Sequence, residues 1–315
     1  MSRPRPFRFG VSVHGNKSRK EWIDLARQVE DLGYSTLLIP DHLGEQLSPI
    51  PALLLAADAT TTLRVGSLVF DNDFRHPAVL AKEAATLDVL SEGRLELGLG
   101  AGWLKSEYDR AGMPFDRPGT RIERMEEAVQ IIKGLFADGP VDFAGKHYTI
   151  TDMEGFPKPV QRPHPPILIG GGGQRLLSIA GREADIVGFI PKARTDGKGQ
   201  DLTDATPEAL GQKIAWVREA AGARFDELEL GILVAQVITT EDREDAAQFI
   251  ANTMAAGLNV NADQVLQTPY LLLGSEDQIC EDLLKRRERY GISYINIFEQ
   301  GLEALAPIVA RLAGT

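Results

Sequence analysis

The stretch PILIGGGGQRLLSIAGREADIVGF (residues 166–189) holds the repeating unit of the whole chain. It opens on a short apolar run, crosses four glycines, enters a helical pattern and returns to a second apolar run at 186–189. Short β-rich runs alternating with amphipathic helical patterns point to parallel βα units. Working outward, the alternation recurs. Strand patterns fall at 7–13, 36–39, 64–69, 94–99, 167–169, 186–189, 228–237 and 294–298, with helical patterns between them, for example at 19–32, 77–90, 121–136 and 277–290. Eight strands interleaved with helices predict an α/β fold, the TIM (β/α)8 barrel, because a doubly wound open sheet more often stops at about five or six.

No Ser/Gly linker or convincing internal repeat divides the chain, so residues 1–315 are expected to form one domain. Two segments interrupt the rhythm. VDFAGKHYTI (141–150) reads as a hairpin closing over Gly145-Lys146, and PKARTDGKGQDLTDATP (191–207) is polar, turn-rich and directly follows the sixth strand. The latter places an insertion on the C-terminal face of the barrel, where active sites form.

A hydrophobic content of 43% allows a sizeable core. With 45 acidic and 34 basic residues the formal net charge is −11. The one basic cluster, Lys285-Arg286-Arg287, sits in a helical pattern and reads as a solvated face. Nucleic-acid binding rests largely on phosphate neutralisation, so no nucleic-acid partner is expected. The single Cys280 excludes an intrachain disulfide and agrees with a reducing compartment. MSRPRPFRFG at the N-terminus lacks an apolar signal core, and no run of about 18 apolar residues occurs. A soluble, cytoplasmic protein without membrane contact is expected.

LLIPDHLG (37–44) places Asp41 and His42 immediately after a strand that ends at Pro40. In a barrel, polar groups at strand C-termini converge on the catalytic centre, and an imidazole can give or take a proton near neutral pH. A helix-capping Asp beside a surface His is the competing reading. Gly170 to Gly173 lie between a strand and a helix, where unobstructed amides and the helix dipole suit a phosphate. LELGLGAGW (95–103) fails the G-x-G-x-x-G spacing of a nicotinamide site. Its small residues could instead let a flat ring approach the backbone, with Trp103 either walling the pocket or lying in the core. RVGSLVFDNDFRHP (64–77) ends in a polar elbow in which His76 reads as structural. No G-x-S-x-G elbow appears, and the five histidines lack H-x-H or H-E-x-x-H spacing, so nothing announces a metal site.

Taken together, LARQVEDLGYSTLLIPDH, TTTLRVGSLVF, RHPAVLAKEAATLDVLSEGRLELGLGAGW, PFDRPGTRIERMEEAVQIIKGLF and PPILIGGGGQRLLSIAGREADIVG resemble the bacterial luciferase-like superfamily. They look most like its branch that uses the deazaflavin coenzyme F420. The resemblance spans nearly all of residues 7–300. It implies a TIM barrel with a ring pocket at the C-terminal mouth, a small-molecule substrate, F420 as coenzyme with FMN as the alternative, and a homodimer.

Carried over, Asp41 and His42 match the Asp-His pair beside the reactive ring carbon, the His serving the substrate's hydroxyl or carbonyl proton. Leu68-Val69 matches a non-prolyl cis peptide bulging against one ring face. Ala101 and Ser106 fall near the ring's polar edge and ribityl chain. The run Gly171, Gly172, Gly173, Gln174 and Arg175 matches the phosphate loop. The sugar-phosphate dehydrogenase branch has a Glu where this chain has Trp103, so an indole there implies a less polar substrate: an alcohol, ketone or activated alkene. The expectation is an F420-dependent oxidoreductase. Its alternatives are an FMN-dependent monooxygenase activating O₂, a metal-dependent hydrolase and a catalytically silent binding relative.

Overall fold

A barrel strand has helices on one side and the lumen on the other, so it is apolar without alternation. Leu37, Leu38 and Ile39 are accordingly all buried. The computed structural model describes residues 4–194, 196–197, 199–253 and 260–315; the first residues of the N-terminal reading and positions 195 and 198 of the 191–207 segment lie outside the described residues. Eight parallel strands form the barrel: β1 (Arg8–Ser12), β2 (Thr36–Ile39), β3 (Arg64–Ser67), β4 (Leu95–Gly100), β5 (Ile167–Gly171), β6 (Ile186–Phe189), β7 (Glu229–Val234) and β8 (Ile292–Phe298). Each pairs with the next, from Gly10↔Thr36 round to Leu233↔Asn296. The pairing of Arg8 with Tyr294 closes the ring.

Helices α1 (Arg19–Asp31), α2 (Pro49–Ala59), α3 (Pro77–Leu90), α4 (Pro118–Phe136), α5 (Gln174–Glu183), α6 (Pro207–Ala221), α7 (Glu276–Tyr290) and α8 (Leu302–Leu312) surround it. Four of them begin at proline, whose missing N–H costs nothing at that position. α1 and α7 instead begin with capping boxes, Ser18 with Glu21 and Ser275 with Gln278. Among the described residues no helix is long and apolar enough to cross a membrane.

Three expectations change. The pattern at 228–237 is two strands: β7 ends at Val234, and Gln236–Thr239 leaves the barrel to pair with Leu271–Gly274. The apolar letters of Val237 and Ile238 continue the pattern of β7 although neither residue is buried, so hydropathy does not mark the switch. The run at 64–69 stops at Ser67; a cis Leu68–Val69 peptide follows, and Phe70–Asp71 resumes pairing with β4. Arg286 is not part of a solvated face, because its guanidinium donates to the carbonyls of Thr268, Pro269 and Leu271. The hairpin forms as expected, Val141–Ala144 against Thr149–Met153.

The lumen is layered. At the N-terminal end Glu96 lies between Arg8 at 2.6 Å and Arg64 at 2.8 Å, with Arg8 also bound to Glu229 at 2.7 Å. Above them Leu38, Leu168, Ile186 and Tyr294 pack together from four strands, touching Leu68 and Val69. Near the C-terminal mouth the lumen-side positions include Gly98, Gly100, Gly170 and Gly188. The barrel is therefore plugged at one end and open-textured at the other.

Candidate active site

The chain turns out of β2 at Pro40, and the next two residues take different directions. Asp41 is buried; its carboxylate accepts from the Asp71 amide at 3.2 Å and from the Arg75 guanidinium. It caps no helix, since α2 starts after Ser48. His42 instead lies at the rim with Nδ1 2.9 Å from Glu107 Oε2. Glu107, on the short helix Lys105–Ala111, is buried, and its other oxygen accepts from the Leu43 amide at 2.9 Å. The carboxylate that orients the imidazole is thus Glu107, not the adjacent Asp41. With Nδ1–H donated to Glu107, the neutral ring carries its free lone pair on Nε2.

Trp103 meets His42 edge-on, ring centroids 5.9 Å apart, and at 38% exposure it is a wall rather than a core residue. His14, just beyond β1, packs on Phe298 at 5.3 Å. Lost hydration and then the proximity of His42 hold its pKa below the ordinary histidine value.

Leu68 and Val69 are half-buried at the mouth. A Cβ on Gly98 would stand 1.9 Å from the Ser67 carbonyl oxygen, and one on Gly100 would stand 2.4 Å from a Val69 methyl. The glycine spacing of LELGLG thus makes room for the protein's own bulge, more directly than for a ligand. Ala101 is buried at the end of β4, and Arg121 donates to the carbonyls of Ala101 and Gly102 at 3.1 and 3.2 Å. Behind it, Asp71 accepts from the Tyr108 hydroxyl at 2.8 and 2.9 Å and from the Asp73 amide. Burial pushes the Asp71 carboxyl up to about 6. His76 is structural, as expected: its Nδ1 accepts from the Ala78 amide and caps α3.

At the end of β5, Gly172 is packed so that a Cβ would lie 2.6–2.7 Å from backbone atoms of Ile190, Pro191 and Lys192. A Cβ on Gly173 would meet nothing within 4 Å, and α5 begins there without a side-chain cap. The first amides of α5 are therefore available to an anion. Gln174 is exposed, but the Arg175 guanidinium turns away to Glu123 at 3.0 Å and the Gly119 carbonyl. Ser106 is exposed, one residue before Glu107. Asp41, His42, Leu68, Val69, Ala101 and Trp103 share the C-terminal mouth with the glycine loop; the side chain of Arg175 does not join them.

The described part of the 191–207 segment is anchored beside that loop. Asp204 accepts from the Lys192 amide and pairs with the wholly buried Lys213 at 2.5 Å, while Lys213 also donates to the Ile190 carbonyl. Two surface hollows elsewhere, meeting at Arg289 and Tyr290 between α6 and α7, lie on the barrel flank. Among the described residues no group of three His, Cys, Asp or Glu side chains is arranged to hold a metal ion.

Sequence reasoning missed Glu107 and the pairing of Arg75 with Asp41. Both partners are distant along the chain, and only barrel closure brings the strand ends together.

A family profile described as luciferase-like monooxygenase matches residues 5–291. The F420-dependent glucose-6-phosphate dehydrogenase of Nakamurella multipartita is 32% identical over 255 residues, 78% of this chain and 71% of that protein. The FMNH(2)-dependent dimethylsulfone monooxygenase of Pseudomonas putida is 30% identical over 220 residues, 69% of this chain and 59% of that protein. Among solved structures, the F420-dependent tetrahydromethanopterin reductase of Methanopyrus kandleri has a TM-score of 0.77 at 20% identity, covering 98% of each chain. That last likeness concerns the fold.

Proposed function

The chain belongs to the luciferase-like monooxygenase family, and from that premise we propose that it is an F420-dependent oxidoreductase acting on a small, weakly polar substrate. The observation that carries the reading is His42, oriented through Nδ1 by Glu107 and placed at the mouth that also holds the Leu68–Val69 bulge.

The mouth fits a phosphorylated flavin-like coenzyme. The half-buried bulge offers an apolar platform for a flat ring, and the uncapped start of α5 with open space above Gly173 suits the phosphate. In this reading Gly171 to Gly173 and the backbone amides of Gln174 and Arg175 hold the phosphate, while Asp41, Ala101 and Ser106 line the ring and ribityl chain. When bound, the deazaflavin supplies a carbon that gives or accepts hydride. His42 Nε2 takes or returns the proton of the substrate oxygen, so that proton and hydride leave or arrive together. Trp103 lines the substrate side, and its indole favours an alcohol, ketone or activated alkene over a sugar phosphate.

A second reading, an FMN-dependent monooxygenase, is favoured by the similarity to the P. putida enzyme. The proposal further includes a single-domain homodimer in a reducing cytoplasm, a state that sedimentation and fractionation test.

The decisive experiment is a parallel fluorescence-quench titration with F420 and FMN. Micromolar or tighter F420 binding with much weaker FMN binding supports hydride transfer. The opposite preference, with O₂ consumption, supports the monooxygenase. Binding of neither overturns the coenzyme pocket.

A further inference from the structure

Arg175 stands in the first turn of α5, yet its guanidinium is drawn off to α4, 3.0 Å from Glu123 Oε1 and 3.4 Å from the Gly119 carbonyl. The origin of the side chain argues for a second place. Helix side chains lean toward the helix N-terminus, and the uncapped N-terminus of α5 is where the coenzyme reading puts the phosphate. The stem of Arg175 therefore starts beside that anion, and it is exposed, long and flexible enough to turn back to it.

Glu123 does not depend on Arg175. Its other oxygen, Oε2, accepts from Lys146 Nζ at the hairpin tip at 2.8 Å and lies 3.6 Å from His147 Nε2. That nitrogen is buried without a hydrogen-bond partner among the described residues, so a further partner stands close to the carboxylate. Lys146 comes ahead of Arg175 among the contacts that hold the Glu123 carboxyl down to about 2. The Arg175 and Glu123 side chains are 50% and 33% exposed, and ion pairs so exposed contribute little. A guanidinium–phosphate contact is charge-assisted and often bidentate, and here the helix dipole favours the same anion. The phosphate wins that exchange, and Glu123 keeps Lys146.

We propose that Glu123 holds Arg175 in reserve and that a coenzyme phosphate draws the guanidinium away from it. Glu123 is then the residue that sets how strongly a phosphorylated coenzyme is preferred over a phosphate-free one. The inference rests on the coenzyme reading above and adds a competitor for the phosphate that no sequence pattern announces. FMN and the deazaflavin both carry the phosphate, so the prediction holds for whichever of them the protein binds.

The test titrates wild type, Glu123→Gln, Glu123→Ala, Arg175→Ala and the double variant Glu123→Gln/Arg175→Ala by fluorescence quenching. Each is titrated with the preferred coenzyme and with its phosphate-free counterpart, riboflavin in the case of FMN. Arg175→Ala should weaken the phosphorylated coenzyme about tenfold and leave the phosphate-free one unchanged. Glu123→Gln should tighten the phosphorylated coenzyme about two- to fivefold, the scale of an exposed ion pair, and leave the phosphate-free one unchanged. In the Arg175→Ala background the same change should do nothing. Glu123→Ala, which removes the acceptor altogether, carries the test should the glutamine oxygen still hold Arg175. Wild-type affinity in both Glu123 variants overturns the inference and leaves the coenzyme reading standing. So does tightening that persists without Arg175 or extends to the phosphate-free compound, since removal of a negative charge alone would then explain it. A wild type that binds neither coenzyme overturns both.

Discussion

The tautomer of His42 depends on a hydrogen bond that His42 does not make. Glu107 receives the Leu43 amide on one oxygen and His42 Nδ1 on the other, each at 2.9 Å. In Glu107→Gln the Leu43 amide still requires an acceptor, which turns the glutamine NH₂ toward Nδ1. The ring must then protonate Nε2 and can no longer accept a proton there. Turnover should fall by about 10²–10⁴, as for His42→Ala, with coenzyme affinity unchanged. Glu107→Ala, which leaves both tautomers open, should lose less. Steady-state kinetics decide it: a Glu107→Gln enzyme with wild-type kcat would refute the orientation argument.

The surroundings of Asp71 oppose its charge, with burial raising its pKa from 3.8 to about 6. The folded state holds this proton more tightly than the unfolded state. The associated stability is therefore full below about pH 4 and lost as pH rises through about 6, a change of about 3 kcal/mol. Asp71→Asn should lack this slope, so its stability relative to wild type should improve from pH 4 to pH 7 in denaturant titrations. Parallel curves for the two proteins would show that Asp71 is not buried as a weak acid.

At the scale of elements, the β5–α5 junction separates two glycine roles that one sequence run conceals. Gly172 is confined by the backbone of Ile190 to Lys192, whereas Gly173 has open space and an extended backbone, φ −96°, that alanine also adopts. Gly172→Ala should lower the melting temperature. Gly173→Ala should leave it unchanged yet weaken coenzyme binding about tenfold or more, because the methyl occupies the phosphate's approach. Equal affinity for Gly173→Ala and wild type would remove the phosphate from this loop.

Legibility follows the same division. Thr36–Ile39, Ile186–Phe189 and Pro77–Leu90 were readable to the residue because apolar runs bounded by Pro, Gly and Asp report local periodicity. The split at Ala235 was not readable: its amide donates to the Tyr270 carbonyl, a contact made across an intervening insertion. The Asp41-His42 pair was visible as adjacent letters. Glu107 was not, since a partner 65 residues away leaves no periodic trace.

Over the whole molecule, the two ends of the barrel do different work. Burial alone would raise the pKa of Glu96, but the charges of Arg8 and Arg64 outweigh it and hold the carboxyl below its ordinary range. The stability this confers is present above about pH 4.5, and it is lost as pH falls through the depressed value. Removing one partner of a buried ionic cluster strands the others, so Glu96→Ala should cost about 3–5 kcal/mol near neutral pH, and less in acid. The plug lies at the N-terminal face, where barrels keep stability rather than chemistry. Under conditions where Glu96→Ala remains folded, its coenzyme affinity and kcat should therefore match wild type. A tenfold loss of coenzyme affinity in folded Glu96→Ala would overturn that separation and show the two ends of the lumen to be coupled.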